Sequence, residues 1–166
     1  MEYRAKLTPI MPLCNPSELP NFLPPFGILL GLDYGQKRIG VAISDPARIL
    51  ATPLVQLERE KWGATWAALE KIINERAVVG LVIGLPLNLE GESTPMVQAA
   101  RTFARNILNA RDLPVCMWDE RFSTAVVTRE MINVLDSSRA KRAEKVDAAA
   151  ASYMLQGMLD YLKNIK

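Results

Sequence analysis

Residues 28–44 read ILLGLDYGQKRIGVAIS, and this stretch decides the fold. A first apolar run ends in Asp33, Tyr34–Gly35 is typical of a turn, and a second apolar run covers residues 38–44. Two strands joined by so short a connection pair antiparallel. The stretch therefore predicts a β-hairpin whose first strand ends in an acid.

Apolar runs and helical periodicities alternate along the rest of the chain. Strands separated by helices run parallel through right-handed crossovers, so this order predicts an α/β fold with a mixed five-stranded sheet and helices on both faces. In such sheets the functional crevice lies beyond the carboxyl ends of the parallel strands. Further strands are predicted at Ala51–Leu57, Val78–Ile83 and Val115–Trp118, and helices at Trp62–Arg76, Pro95–Asn109, Thr124–Leu135 and Glu144–Leu162.

Two tryptophans mark one face of the first predicted helix. Trp62 and Trp66 recur at helical spacing with Leu69 and Ile73. Such a stripe indicates core packing rather than a surface for stacking bases.

The first 26 residues differ in composition from the rest, since they hold six of the eleven prolines. Prolines at this density, with no apolar period, predict an irregular extension. We expect one folded domain at residues 27–166, because dividing a chain of this length would leave each part with a marginal core.

The composition excludes several classes of function. The chain has no histidine, which rules out histidine-based triads and histidine-ligated zinc and leaves carboxylates as the main acid, base and metal-binding groups. A net charge of +2 gives no global basic character, so any nucleic-acid surface must come from local clustering. Cys14 and Cys116 are far apart in the sequence, and no stretch has the length of a membrane span. The expected location is the cytoplasm, with no membrane partner.

Three acids stand where the predicted fold would bring carboxylates together. Asp33 and Glu120 each follow the end of a strand, and Asp147 borders the inward face of the last helix. Taken alone, each acid has a structural alternative. Asp33 could form a turn, Glu120 could cap a helix or join an ion pair, and Asp147 could be a first-turn acid favoured by the helix dipole. Taken together, they would suit Mg²⁺ or Mn²⁺, which take carboxylate and water ligands. A two-metal arrangement of this kind hydrolyses phosphodiester bonds without histidine.

Two basic segments next to these acids are candidates for binding phosphates. Lys37 and Arg38 follow the first acid. The phosphate-binding loop known as the Walker A motif does not occur in the sequence. A second basic segment, between Ser137 and Lys145, precedes the third acid, and we expect it to form a loop that grips substrate. A solvated surface is the alternative for such a charge run. The cations of this second basic segment are Arg139, Lys141, Arg142 and Lys145.

Four motifs in the chain have a recognisable order and spacing. They are residues 31–45 (GLDYGQKRIGVAISD), 82–88 (VIGLPLN), 119–124 (DERFST) and 145–149 (KVDAA). Together they resemble the YqgF-type family of Holliday-junction-resolvase-like proteins, also described as pre-16S rRNA nucleases. The resemblance covers about residues 28–163. Residues 1–26 lie outside the family pattern, and Phe122 stands where leucine is usual, which is a mild apolar change.

The resemblance implies a fold, a location and an activity. These are an RNase H-like fold, a cytoplasmic location, and nuclease action in maturing the 5′ end of 16S rRNA. The acidic positions of the family map onto Asp33, Glu120 and Asp147.

The leading hypothesis is a hydrolase, a metal-dependent nuclease acting on precursor rRNA in association with ribosomal particles. A Holliday junction resolvase acting on branched DNA is the alternative enzyme, and it would need a dimer to place two active sites on a four-way junction. A non-catalytic RNA-binding ribosome-assembly factor would use the same basic segments and bind no divalent ion. An ATPase of the actin-like kind shares the Asp-x-Gly turn, but that fold duplicates the domain and this chain is too short.

Overall fold

The computed structural model describes residues 13–85, 94–120 and 139–165, and for residues 139–147 it describes the backbone alone. A short 3-10 helix at Leu19–Phe22 precedes the second strand. The strands in these ranges are β1 (Leu13–Cys14), β2 (Ile28–Tyr34), β3 (Arg38–Ser44), β4 (Ala51–Glu58), β5 (Val78–Leu85) and β6 (Val115–Asp119). The helices are α1 (Trp62–Glu75), α2 (Pro95–Ala110) and α3 (Arg139–Asn164).

The six strands form one sheet in the order β1, β6, β5, β2, β3, β4. β3 runs antiparallel to both of its neighbours, β2 and β4, and in the predicted hairpin Asp33 lies opposite Gly40. β2, β5, β6 and β1 run parallel, as expected of strands joined by crossovers. The predicted mixed sheet is therefore confirmed, with one more strand than the five expected.

Each face of the sheet has its own apolar core. α1 and α2 cover one face, where Leu30 of β2 shares a buried cluster with Leu69 and Ile107. α3 covers the other face, where Leu29 and Leu155 belong to a second cluster. Leu29 and Leu30 point to opposite faces because side chains alternate along a strand. The prediction of helices on both faces is confirmed.

Two glycines let α3 lie close to the sheet. A Cβ atom at Gly31 would be 2.8 Å from the Cβ of Leu155, and one at Gly157 would be 3.4 Å from the indole of Trp118. Close packing leaves no room for the first of these contacts, so a side chain at position 31 would push α3 away from β2. Glycines on both the strand and the helix therefore permit this close approach.

The described part of the amino-terminal segment contains a two-residue strand and a short 3-10 helix, and the irregular extension expected for residues 1–26 as a whole stays a prediction. Leu13–Cys14 pairs in parallel with Val115–Cys116 and adds a strand beyond β6. The two cysteines thereby become neighbours as buried free thiols. Leu19 is fully buried in the core beneath α3. Proline density did not reveal these contacts, because their partners lie in distant parts of the chain. The division of the chain after residue 26 stays a prediction.

The last helix is longer than the sequence pattern predicts. α3 begins at Arg139, whereas the predicted start was Glu144. The basic run from Arg139 to Lys145 is helical rather than a loop, because alanine, lysine, arginine and glutamate favour helix and no glycine or proline interrupts them. The helix predicted at Thr124–Leu135 lies outside the described residues. In the described part of the chain, no helix combines the length and apolar character that crossing a membrane requires.

Candidate active site

The carboxyl ends of three neighbouring strands meet at one edge of the sheet. β5 stands between β2 and β6. Gly84 of β5 pairs with Trp118 of β6 and comes one residue after Ile83, which pairs with Leu32. Asp33 follows Leu32 and therefore lies level with Gly84. Glu120 follows directly after β6, at the same edge.

Asp33, Gly84 and Glu120 lie on the face of the sheet that α3 covers. Side chains alternate between faces along a strand, so residues two positions apart point the same way. The residues two positions earlier all contact α3 or belong to the core beneath it, and they are Gly31, Val82 and Trp118. The predicted convergence of the first two acids at one crevice is thus present in the structure.

The carboxyl groups of Asp33 and Glu120 are hydrogen-bonded to each other. The pKa of Glu120 is raised from 4.5 to about 8, chiefly by burial and in addition by the charge of Asp33, the hydrogen bond to Asp33 and the charge of Asp119. Two adjacent carboxylates repel each other when both are ionised, so the pair either shares a proton or binds a cation. Both residues are partly exposed, which leaves a path for a cation from solvent.

Gly84 provides the space that the Glu120 side chain occupies. A Cβ atom at position 84 would lie 3.0 Å from Cδ and 3.1 Å from Cγ of Glu120, and it would overlap Oε1. Sequence reasoning missed this residue, because the strand was predicted to end at Ile83. β5 in fact continues to Leu85. The available signal was the glycine itself, placed where a third strand reaches the edge that carries the acids.

α3 runs antiparallel to β2. Gln156 accepts a 2.8 Å hydrogen bond from the backbone N–H of Ala51, which lies near the amino end of β2. Ala151, earlier in the helix, lies against Gly31 in the middle of β2. The helix therefore approaches the carboxyl end of β2 as it is followed back toward its own start.

This direction brings the backbone of Asp147 toward Asp33. Asp147 precedes Ala151 by about one helical turn, or about 5.4 Å, and Asp33 follows Gly31 by two strand residues, or about 6.6 Å. The backbone of Asp147 is therefore nearly level with Asp33. The Asp147 side chain is outside the described atoms, so its role as a third ligand stays a prediction. Among the side chains that are described, no three potential ligands converge on one point.

The donor groups present fit a divalent cation such as Mg²⁺ or Mn²⁺. Asp33 and Glu120 offer carboxylate oxygens, the ligands that these hard cations prefer. A cation between them would replace the shared proton and offset the repulsion that raises the pKa of Glu120.

The predicted phosphate-binding residues lie in two places. Lys37 is exposed in the turn between β2 and β3, at the edge that carries Asp33. Arg38 begins β3, and its Nε lies 3.8 Å from Oε1 of Glu58, so part of its charge is offset. The others lie in the first two turns of α3, where only the backbone is described, so their role stays a prediction; they are Arg139, Lys141, Arg142 and Lys145.

Comparison with known sequences identifies relatives over nearly the whole chain. A family model described as Holliday junction resolvase matches residues 27–161. A protein of Rhodospirillum rubrum named "Putative pre-16S rRNA nuclease" is 49% identical over 152 residues, which cover 92% of this chain and 94% of that protein. A protein of the same name from Bradyrhizobium sp. (strain BTAi1) is 49% identical over 158 residues, covering 95% and 96%.

Solved structures share the fold at low sequence identity. The RuvC protein of T. thermophilus in complex with a Holliday junction substrate aligns with a TM-score of 0.51 at 13% identity, covering 82% of this chain and 96% of that one. The Fowlpox virus resolvase in complex with Holliday junction DNA aligns with a TM-score of 0.50 at 12% identity, covering 81% and 98%. RuvC-like resolvases have the RNase H-like fold, which confirms the predicted fold. The resemblance carried by the four motifs is confirmed as well, and the chain belongs to the Holliday junction resolvase family.

Proposed function

We propose that this protein is a metal-dependent nuclease that hydrolyses phosphodiester bonds, with Asp33, Glu120 and Asp147 as ligands for Mg²⁺ or Mn²⁺. The observation that carries the proposal is the contact between Asp33 and Glu120, which together with burial raises the pKa of Glu120 to about 8. Two adjacent carboxylates destabilise a fold unless another group offsets their repulsion. The family of resolvases and the relatives named as nucleases support phosphodiester hydrolysis as the use of such a site.

The residues of the chain hold the reacting groups in place. Asp33 belongs to β2, which is hydrogen-bonded to strands on both sides, and Glu120 rests over Gly84 of β5. Ligands fixed on rigid strands keep their geometry better than ligands on loops. Lys37, exposed at the same edge, can hold a phosphate of the substrate backbone by its charge. When bound, divalent cations supply an activated water and stabilise the leaving oxygen.

We further propose that the substrate is precursor 16S rRNA, cut at its 5′ end in the cytoplasm and in association with ribosomal particles. The support is the name of relatives that are 49% identical over nearly the whole chain. Branched DNA is the second candidate substrate, which the family description and the two resolvase complexes favour. The catalytic unit would be residues 27–166, of which the family match covers residues 27–161.

The test compares wild-type protein with Asp33→Asn, Glu120→Gln and Asp147→Asn in Mg²⁺ or Mn²⁺. Each change removes a ligand charge and nearly preserves side-chain shape, so each should abolish cleavage while the protein stays folded, and in chelator the variants should be at least as stable to urea as the wild type. Asp112→Asn is the matched control. Asp112 is an exposed residue that precedes the amino end of β6, and Asp33 lies at the opposite edge of the sheet, where the parallel strands have their carboxyl ends. A variant that keeps the wild-type rate removes its residue from the site. Full activity in excess chelator would exclude the metal mechanism.

The same assay separates the candidate substrates when it includes both precursor rRNA and a synthetic four-way junction. Cleavage of the rRNA at its 5′ end supports the maturation function. Cleavage of the junction alone, by protein that elutes as a dimer in size-exclusion chromatography, supports a resolvase. RNA binding with neither cleavage nor cation binding supports a non-catalytic assembly factor.

A further inference from the structure

A second concave site lies on the face of the sheet opposite to Asp33 and Glu120. A cavity of about 290 Å³ opens between α1, α2 and the carboxyl end of β2. Tyr34 follows Asp33 directly in β2, so this cavity and the candidate active site share one edge of the sheet. Its walls include the rings of Tyr34, Trp62 and Phe103 and the polar side chains of Arg59, Thr102 and Asn106.

The aromatic walls of the cavity form one connected array. Tyr34 stacks on Phe103 with ring centroids 4.6 Å apart, and Trp62 meets Phe103 edge-on at 5.9 Å. Trp62 also stacks on Trp66 at 5.6 Å. Both tryptophans pack against the core, as the sequence stripe predicts, and yet both stay partly exposed. Tyr34 and Phe103 are largely buried, so the aromatic surface offered to a ligand is mainly that of Trp62, and such a surface beside an open cavity suits a flat ligand that stacks.

The polar groups of the cavity can donate and accept hydrogen bonds but carry little net charge. Asn106 has an amide and Thr102 a hydroxyl, and the charge of Arg59 is balanced by Glu60. A phosphate would require an excess of positive charge. An uncharged aromatic ring with donor and acceptor edges, such as a nucleobase, matches this lining better.

Arg59 connects the cavity to the turn that carries Lys37. Its guanidinium lies 4.5 Å from the ring centroid of Tyr34 and donates hydrogen bonds to the carbonyls of Gly35 and Gln36, each at 3.3 Å. Its backbone N–H donates to the carbonyl of Lys37 at 2.8 Å. The turn is therefore held at the rim of the cavity. A nucleic-acid strand whose phosphates follow this turn would have a base within reach of the aromatic walls.

We propose that this cavity binds one unpaired nucleobase of the substrate, close to the bond that is cut. The inference rests on the proposed nuclease function for its class of substrate. Bases of loops and strand ends can leave their stack and lie against aromatic side chains, whereas bases inside a perfect duplex cannot do so without unpairing. The cavity would therefore favour substrates with an unpaired nucleotide beside the scissile phosphate.

The test is a tryptophan-fluorescence titration of the intact protein with adenosine 5′-monophosphate (AMP), and with ribose 5-phosphate as the control that lacks a base. Trp62 lines the cavity, so AMP should quench the emission in a saturable way and ribose 5-phosphate should not. Asn106→Ala should weaken AMP binding about tenfold through the lost hydrogen bonds. Asn109→Ala is the matched control, because Asn109 is exposed on the same helix outside the cavity. Asp33→Asn should bind AMP like the wild type.

Three results would overturn the base site. They are equal effects of AMP and ribose 5-phosphate, unchanged AMP binding by Asn106→Ala, and loss of AMP binding in Asp33→Asn. In cleavage assays, Asn106→Ala should raise KM for a substrate with an unpaired base and leave kcat near the wild-type value. Cleavage without AMP binding would overturn the base site alone, and AMP binding without cleavage would overturn the nuclease function alone.

Discussion

Replacing Gly84 with alanine should displace Glu120 from the candidate active site without unfolding the protein. The new methyl carbon would lie 3.0 Å from Cδ and 3.1 Å from Cγ of Glu120 and would overlap Oε1. The φ angle of Gly84 lies outside the left-handed region, so alanine can adopt the same backbone conformation. The clashing atoms belong to the end of a flexible side chain, and we expect that end to swing toward solvent.

The pKa of Glu120 sets the size of the effect on stability. In metal-free protein the pKa is about 8, compared with an ordinary 4.5. At about 1.4 kcal/mol for each pH unit, this difference destabilises the folded wild type by at most about 5 kcal/mol. The penalty is absent below pH 4.5, where both states are protonated, grows as the unfolded state ionises, and is complete above pH 8. Gly84→Ala should not carry this free-energy penalty, because the displaced Glu120 carboxylate would be solvated and would have an ordinary pKa.

The assay is urea unfolding in chelator at pH 5 and at pH 8.5, followed by Mn²⁺ calorimetry and cleavage rates. The stability of Gly84→Ala relative to wild type should rise from pH 5 to pH 8.5. The variant should also bind Mn²⁺ more weakly and cleave about 100-fold or more slowly, because misplacing a catalytic group lowers the reaction rate. Gly63→Ala is the matched control, because a Cβ at position 63 of α1 meets no atom within 4 Å. It should bind Mn²⁺ normally and gain about 0.5–1 kcal/mol in stability at both pH values.

One combination of results would refute this reasoning. If Gly84→Ala binds Mn²⁺ and cleaves like wild type, and its relative stability is the same at both pH values, Glu120 does not depend on the space at Gly84. The contact between Glu120 and Asp33 would then not describe the working site.

Three further predictions concern the cation, the amino-terminal segment and the start of α3. In calorimetry, Ca²⁺ should give a heat of binding that is absent in Glu120→Gln. Ca²⁺ should nevertheless support little turnover, because its looser coordination positions water poorly. Cleavage in Ca²⁺ at the Mg²⁺ rate would contradict this prediction. Leu19→Ala should lower the free energy of unfolding by about 2–5 kcal/mol in urea titrations, since Leu19 is fully buried; a change near zero would mean that the segment is dispensable. Replacing Arg139, Lys141 and Arg142 with alanine should flatten the dependence of RNA affinity on salt, because each phosphate contact contributes about 0.7–0.9 to the slope of log affinity against log salt. Identical slopes for this variant and wild type would show that the run is only a solvated helix surface.

Of the elements in the described residues, five of the six strands and the three α-helices could be predicted from the sequence because their signals are local. β3 has the predicted bounds Arg38–Ser44, and α1 and α2 begin at the predicted Trp62 and Pro95. The predicted start of α3 was wrong, because the basic charge of the run was interpreted as a loop although its residue types favour helix. Asp33 and Glu120 could be paired in advance, since the carboxyl ends of parallel strands meet at one edge whatever their separation along the chain.

Contacts between distant segments needed the tertiary structure. β1 exists because Leu13–Cys14 meets β6, and the proline-rich composition around it carries no trace of that partner. Only the packing of Glu120 over Gly84 shows that the missing side chain leaves room for a carboxylate. The raised pKa of Glu120 likewise comes from burial and from Asp33 on another strand. The sequence by itself determined that β2 and β6 lead into acids and which acids could be ligands. The tertiary structure decided which of those groups touch, because packing and electrostatic coupling depend on distance in space and not on separation along the chain.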